Sequence, residues 1–418
     1  MNRSREAVSR LQTGAFGLLA VALVAMIVAF PDQAFAASLS GLTVWWDYVF
    51  PALLPFFILT ELLLGFGVVH AFGVALEPLM RLLFRLPGAG GWAVAMSVTA
   101  GFPTGAKAAA DLRKSGAVTR AEGDALLALS HLCSPIFLTS VVAVGFLGAP
   151  ELGLPLVAVH LFSALLTGVL VGRVLYRAGP SVAAGSPRAS SRRRGFRRAV
   201  AAMADAHRAD GRPLGRLLGD AVGSAVQSLL VIGGFMIVFS VLVRLLSIAG
   251  VTDGLRMLLQ APFAPWGLPA PLADGAVTAL FEVHLGAYAI GRAGDLSAWG
   301  AAVLCGVIAW GGLSVHAQVK SLISGTDLRF TPFLVARLVH AALSALVAFA
   351  LWDRLRLWFG GATPAFAPRA ADEVAAGAWT AWPVWLASLQ LLGAVLLGAL
   401  ALSAAVALGR RIAVWILP

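Results

Sequence analysis

Two polar interruptions in otherwise apolar sequence hold the residues best suited to bind a solute, and the first is TAGFPTGAK, Thr99 to Lys107. Proline lacks an amide donor and glycine loosens a helix, so GFPTG predicts a helix break. A broken helix exposes amides and carbonyls with partial charge, which suit an ion or a small polar solute. The alternative is a packing kink that binds nothing. This segment contributes the candidate binding residues Thr99, Gly101, Pro103, Thr104, Gly105 and Lys107.

The second interruption, ALFEVHLGAY, places Glu282 and His284 in the middle of an apolar segment. Acids at membrane depth are rare and usually face a partner or a water-filled path. Both residues are candidates for solute binding, and Glu282 is the first candidate for a coupling proton or cation. Glu61, within TELLLGFG, is the second candidate for that coupling role. The competing interpretation is a structural pairing of Glu282 with a helix end or a nearby cation.

Two further polar stretches occupy matching places in the two halves of the chain: SHLCSPIF from Ser130 and WGGLSVHAQVKS from Trp310. In a regular helix the polar residues of the second stretch would spread around the axis, whereas unwinding after its two glycines would bring them together. Helix-to-helix hydrogen bonding is the alternative role. The candidates here are Ser130, His131, Ser134, Gly311, Gly312, Ser314, His316 and Gln318.

The composition requires a bilayer around these residues. The chain has 418 residues, of which 59% are hydrophobic and 12% charged, whereas soluble domains carry about 25% charged residues. Several apolar runs reach the roughly 20 residues needed to cross a bilayer core. No metal-ligand cluster, phosphate-binding loop or nucleophile motif is present, so we expect no enzyme, metal or cofactor.

The net charge of +11 comes mostly from one stretch. Ten arginines lie between Arg177 and Arg216, against only two acids. Beside apolar spans, such a stretch indicates a cytoplasmic loop, with anionic lipid binding as a secondary role. Nucleic acid is not an expected partner, because the loop has one aromatic residue and no recognisable binding fold. Its Pro, Gly, Ser and Arg content predicts a mobile linker from Ala178 to Pro213.

The predicted fold is an all-α polytopic membrane protein with about eight transmembrane helices and two re-entrant hairpins. The hairpins are Gly91–Ala110 and Leu272–Ile290, and an interfacial helix is expected at Glu77–Gly88. The first span either stays as a helix or acts as a cleaved signal. The predicted spans are Gly14–Phe30, Val44–Ala71, Asp124–Phe146, Pro155–Leu175, Asp220–Ala249, Trp299–Ser321, Pro332–Trp352 and Val384–Leu408.

The two halves resemble each other in sequence as well as in layout. AVHLFSALLTGVL from Ala158 resembles LVHAALSALVAF from Leu338, and the matched His160 and His340 are expected to cross-bond helices. Three crossings and one hairpin in each half force opposite orientations, which is an inverted repeat. The hairpins could instead be full spans. The predicted segments are 1–36 (first helix), 40–177 (first repeat), 178–215 (basic linker), 216–358 (second repeat) and 359–418 (loop and last helix).

The motifs in order resemble the YlbJ family of sporulation integral membrane proteins. The likeness rests on WWDYVFPALLPFFILTELLLGFGVVHAFG, LEPLMRLLFRLPGAGGWAVAM and GFPTGAK, followed by FEVHLG and GGLSVHAQ. The resemblance implies a nucleoside-recognition (Gate) domain, a fold similar to concentrative nucleoside transporters, and a role in endospore formation. It also implies location in the cytoplasmic membrane of the forespore or mother cell.

By analogy we expect transport of a small polar solute, nucleoside-like or an ion, with the hairpins at the binding site. A non-transporting scaffold or regulatory partner in spore envelope assembly is the alternative, in which the arginine-rich loop docks a partner or lipid. A fold alone does not identify the solute. The bilayer, a small solute and a homo-oligomer are the expected partners.

Overall fold

The computed structural model describes residues 20–171, 192–261, 269–294 and 297–359, together with residues 14, 17 and 18, and the described residues are helical and contain no strand. Fifteen of the helices lie after a short first helix, α1, at Ala20–Ala29. They are α2 Pro31–Val44, α3 Phe50–Gly65, α4 Val68–Leu79, α5 Gly90–Ala100, α6 Thr104–Lys114, α7 Arg120–Leu129, α8 Gly153–Leu170, α9 Arg192–Asp210, α10 Leu214–Ile248, α11 Val251–Gln260, α12 Ala270–Phe281, α13 Val283–Arg292, α14 Ala298–Trp310, α15 Gly312–Ile323 and α16 Phe330–Phe359.

Short π-helical and 3-10 segments join some of these helices. The π-helical segments are Trp45–Val49, which joins α2 to α3, Met80–Phe84 after α4, and Phe137–Phe146 after α7; Pro150–Leu152 forms a 3-10 turn. Five helices or joined helices among the described residues are long and apolar enough to cross a bilayer. They are Pro31–Gly65, Pro150–Leu170, Leu214–Ile248, Ala298–Ile323 and Phe330–Phe359. The predicted last span and the loop before it lie outside the described residues.

The order of elements in residues 31–170 recurs in residues 214–359. Each series begins with a 35-residue apolar segment. A glycine with left-handed backbone follows in both: Gly67 has φ 76° and Gly250 has φ 74°. A short helix, a broken helical pair, a second broken pair and a last long helix then appear in the same order.

Equivalent helices of the two series run antiparallel to each other. Along α2–α3 and α10, Ser240 Oγ donates to the Ala37 carbonyl at 2.7 Å and Trp45 Nε1 to the Leu229 carbonyl at 3.0 Å, while Gly65 packs on Leu217. Residue numbers rise along α2–α3 while those of the contacted residues in α10 fall, so these two elements run antiparallel. In α8 and α16, His160 faces His340, whereas Val171 clusters with Ala336. Opposite chain directions in equivalent elements are the hallmark of an inverted repeat.

Part of the stretch predicted to be a mobile linker, Ala178–Pro213, is a packed helix. Residues 192–210 form α9, which packs on α4, whereas residues 178–191 lie outside the described residues. His207 Nδ1 lies 2.9 Å from the Gly65 carbonyl oxygen, and Arg198 forms a 3.1 Å ion pair with Glu77. Because these contacts fix one face of the stretch on the core, a helix forms despite the high charge.

Three other boundaries differ from the predicted ones. The span predicted from Val44 begins at Pro31, so the signal-like PDQAFA is helical. The predicted interfacial helix Glu77–Gly88 is replaced by α4 and its π-helical end, since Pro78 sits inside α4 without ending it. The predicted span Asp124–Phe146 is divided after Leu129, because residues 131–134 are non-helical.

Close backbone approach holds the first hairpin, α5–α6, against α7. The Ser130 hydroxyl donates to the Gly105 carbonyl at 3.1 Å, and a Cβ at Gly105 would overlap the Ser130 carbonyl oxygen. By contrast, a Cβ at Gly219 in α10 would meet nothing within 4 Å.

We therefore expect Gly105→Ala to lower the free energy of unfolding by about 1–3 kcal/mol, the usual cost of overpacking. Gly219→Ala, the matched control, should be neutral or stabilising by up to about 1 kcal/mol, since alanine is the better helix former. Thermal unfolding of both variants in detergent measures the difference. Equal melting temperatures would contradict the close packing.

Candidate functional site

The site is formed where four breaks in helices meet. In the first series the α5–α6 hairpin breaks at Gly101–Pro103, and the α7 span unwinds at residues 131–134. In the second series the α12–α13 hairpin breaks at Glu282, and the α14–α15 span breaks at Gly311 and Gly312. All four breaks lie inside protein, which is where broken backbone at membrane depth is tolerated.

Each hairpin tip packs directly on the broken span of its own series. A Cβ at Gly101, whose φ is 76°, would lie 3.2 Å from the Ser134 amide nitrogen. A Cβ at Gly312, whose φ is 75°, would lie 2.9 Å from the Val283 amide nitrogen. Glycine suits both positions for two reasons, because it adopts positive φ without strain and leaves room for the neighbouring backbone.

Contacts between the two series complete the junction. His131 of the first series has ring atoms close to Gly311 of the second, since Nε2 would lie 3.8 Å from a Cβ there. The Phe102 ring stacks on His131 at 5.4 Å between centroids and meets His284 edge-on at 6.4 Å. The hairpin tips and the unwound spans are thus parts of one centre.

Glu282 is the buried acid of this centre, with 1% of its surface exposed. It is the N-cap of α13: its Oε2 accepts a hydrogen bond from the Leu285 amide at 2.7 Å. Its Oε1 lies 2.7 Å from His284 Nδ1 and 3.5 Å from the Ser314 hydroxyl, which donates to it. The positive end of the helix and these donors stabilise a carboxylate where an isolated charge would be costly.

Two adjoining cavities open from the centre. The inner one, about 30 Å³, is walled by the break residues and by aromatic rings. Its lining includes Phe57, Gly101, Phe102, Cys133, Ser134, Phe137, Phe235, Glu282, His284 and Gln318. Phe102 and Gln318 also line the outer cavity, so the two are neighbours.

The outer cavity measures about 810 Å³, within the roughly 300–1,000 Å³ typical of small-molecule sites. It lies between the hairpin α5–α6 and the long helices α3 and α10. Its polar lining comprises Thr60, Glu61, Thr104, Lys107, Asp111, Ser224, Gln227, Ser228 and Gln318. Ser224 donates to Glu61 at 3.0 Å. Charges of both signs therefore face the same space.

The predicted site residues fall into three groups in this arrangement. Those that line the inner cavity are Gly101, Ser134, Glu282, His284 and Gln318, and those on the outer cavity are Glu61, Pro103, Thr104, Lys107 and, again, Gln318. The remaining ones support these walls without lining either cavity: Thr99, Gly105, Ser130, His131, Gly311, Gly312, Ser314 and His316.

The supporting residues bond mostly to backbone. The Thr99 hydroxyl donates to the Ala95 carbonyl of its own helix at 2.8 Å. His316 Nδ1 lies 2.7 Å from the Gly312 carbonyl oxygen, and its ring lies against Trp310. These contacts hold the breaks in shape.

Three buried charged residues were missed by the sequence reasoning: Glu122 and Asp124 in α7 and Arg337 in α16. Asp124 is fully buried and accepts hydrogen bonds from the Arg329 amide at 2.8 Å and from its Nε at 2.7 Å, which ties α7 to the start of α16. For Arg337 the available signal was a charge inside an apolar run, because such residues rarely lack a role.

The fold and the site define a polytopic integral membrane protein whose broken helices enclose a polar centre. A family model described as nucleoside recognition (Gate) matches residues 47–150, which include the first hairpin and the first unwound span. The chain is 38% identical over 341 residues to the sporulation integral membrane protein YlbJ of Bacillus subtilis (strain 168), covering 80% of this chain and 81% of that protein. The chain therefore belongs to the YlbJ family of sporulation integral membrane proteins. No solved structure matches it.

The capping role of Glu282 gives a direct test of the site's geometry. Glu282→Ala should lower the free energy of unfolding by about 1 kcal/mol or more, because the Leu285 amide loses its acceptor. Glu282→Gln keeps an oxygen for that amide and should retain most of the stability. Thermal unfolding of the two variants makes the comparison, and a Glu282→Ala variant as stable as the parent would argue against the cap.

Proposed function

We propose that the protein moves a small polar solute, nucleoside-like or an ion, across a membrane of the sporulating cell by alternating access. The single observation that carries this proposal is the meeting of four helix breaks beside a large cavity. Transporters built from inverted repeats place their solute site where discontinuous helices meet near the bilayer midplane. The antiparallel course of equivalent helices supports the same architecture.

The proposed binding surface combines the walls of the two cavities. Ser134, Glu282 and Gln318 present hydroxyl, carboxylate and amide groups beside aromatic rings. Lys107 and Glu61 add a cation and a second acid in the outer cavity. A few polar groups in a mostly apolar pocket are what a small-molecule site requires. Glu282 is the proposed coupling acid, because a change in its protonation alters the charge of the inner cavity.

The proposed topology has eight spans, with the two hairpins dipping into the bilayer from opposite sides. Arg113 and Lys114 at the end of α6 and the arginines of α9 would then lie in the cytoplasm, as positively charged segments do. The outer cavity, bounded by α6, would face the cytoplasm in this conformation. We further propose that the protein performs no catalysis.

Solute binding can be tested by thermal stabilisation of the purified protein with nucleosides, metal ions and small acids. A ligand of the native state raises the melting temperature with concentration. We expect at least one class to do so, and Glu282→Gln to abolish the effect. Glu151→Gln, an acid outside both cavities, is the matched control and should keep the response. A ligand response that survives in Glu282→Gln would place the binding elsewhere.

The scaffold alternative makes a different prediction about α9. Deleting the helix would disturb α4, so the sharper variant replaces two exposed arginines, Arg197→Gln with Arg208→Gln. If the protein transports, a Bacillus subtilis strain carrying it in place of YlbJ should make heat-resistant spores with this double variant but not with Glu282→Gln. The reverse pattern would favour a partner-docking or lipid-docking role.

A further inference from the structure

Several backbone groups of the unwound segment Ser130–Ser134 have no hydrogen-bond partners within a helix of their own. Most of their partners come from side chains of other helices. Ser97 Oγ accepts a hydrogen bond from the Leu132 amide at 2.9 Å. His160 Nε2 accepts one from the Cys133 amide at 2.9 Å. The Ser134 hydroxyl accepts from the Phe137 amide at 3.2 Å, which starts the next helical segment. Unpaired backbone groups in these surroundings would be costly.

The carbonyl groups of the same break are held by Arg337 of α16. Its Nη2 donates to the Ala128 carbonyl at 2.6 Å and its Nη1 to the His131 carbonyl at 2.7 Å. The carbonyl end of α7 carries partial negative charge, which favours a cation there. Charge-assisted hydrogen bonds are the strong ones, and the forked guanidinium is pre-organised to bond two carbonyls from two different nitrogens.

A hydrogen-bonded chain joins this cation to the opposite side of the break. Nη1 of Arg337 also lies 3.1 Å from His340 Nδ1, so that nitrogen accepts and the His340 proton resides on Nε2. His340 Nε2 donates toward Ser163 Oγ at 3.1 Å, and the Ser163 hydroxyl donates to the His160 carbonyl at 3.0 Å. The expected cross-bonding of the two matched histidines is thus present, with Arg337 at its end.

The second break is built without such a clamp. The matched histidines, His160 and His340, are 180 residues apart. The residue 180 positions before Arg337 is Val157, so the first half has no arginine at the matching position. The α14–α15 break instead relies on the left-handed glycines Gly311 and Gly312. The first break is therefore held by a buried cation, whereas the second is formed by two left-handed glycines.

We propose that Arg337 is a positioning residue that holds the Ser130–Ser134 segment as the fixed wall of the inner cavity, a role that rests on the proposed solute site. The clamp acts on three lining groups. Ser134 and Cys133 belong to the segment itself. Phe102 is placed through the ring of His131, whose carbonyl Arg337 binds.

The two native cysteines provide a local and a global reporter. Cys133 is 1% exposed within the clamped segment, and Cys305 is 3% exposed in α14, outside that segment. In variants with one cysteine replaced by alanine, labelling by a small maleimide follows opening around the other. Arg337→Met should raise the Cys133 labelling rate at least about tenfold while Cys305 stays within about twofold, since local opening needs no global unfolding.

The conservative variant Arg337→Lys keeps the charge but carries its donors on a single nitrogen, so its Cys133 labelling should fall between those of the parent and Arg337→Met. If Arg337→Met does not fold, Arg337→Gln takes its place. A folded neutral variant whose Cys133 labels at the parental rate would overturn the proposal. Equal acceleration at Cys133 and Cys305 would also overturn it, because that pattern reports general destabilisation.

The labelling experiment uses no solute, so its outcome is independent of the proposed transport function. With a ligand from the stabilisation screen in hand, Arg337→Lys should weaken binding at least about tenfold at pH 7. If an Arg337 variant loses ligand binding while its Cys133 is labelled at the parental rate, Arg337 does not act through the Ser130–Ser134 segment, which would contradict the proposal. If Arg337→Met accelerates Cys133 labelling but no ligand stabilises any form of the protein, the clamp is supported and the proposed solute site is contradicted.

Discussion

The structure depends on one constraint: backbone groups freed by a helix break inside apolar surroundings must find partners in the protein. Water cannot serve them there, and each unpaired group is costly. The α7 break is satisfied by Ser97, His160 and Arg337, from three different helices. The α12–α13 break is satisfied by the carboxylate of Glu282 and by packing on Gly312. These side chains therefore determine which elements pack together.

Concentrating the breaks in one place also produces the functional features of the site. Helix ends with partial charge, a buried carboxylate and polar side chains lie beside aromatic rings there, and a large cavity adjoins them. Unbroken helices would offer no free backbone amides or carbonyls at the same depth. The helix breaks, whose backbone groups need hydrogen-bond partners from elsewhere in the protein, thus also give the protein a polar interior.

The two series solve the same problem with different residues. The first uses a buried cation and two histidines around its unwound span. The second uses left-handed glycines and a capping acid. The two halves of the repeat therefore differ in the residues that satisfy their helix breaks.

From the sequence alone we could read the membrane class, the family resemblance and the helix breaks at Gly101–Pro103, Glu282 and Gly311, but not the break after Leu129. Glycine, proline and intramembrane acids mark those places locally, and positions such as Gly101, Glu282 and Gly311 could be read without coordinates. The sequence also indicated the repeat, through matched histidines and an equal order of apolar segments. Such signals can be read locally because glycine and proline disrupt a helix through their own backbone chemistry.

Only the tertiary structure decided which of these residues face a cavity and which support the walls. Thr99 and His316 looked like Thr104 and Gln318 in sequence, yet they bond to nearby backbone. Arg337 gained its role from carbonyls about 200 residues away, and α9 became a helix through contacts with α4. Partners of this kind are set by how helices pack across the bilayer interior, and the spacing along the chain carries no record of that packing.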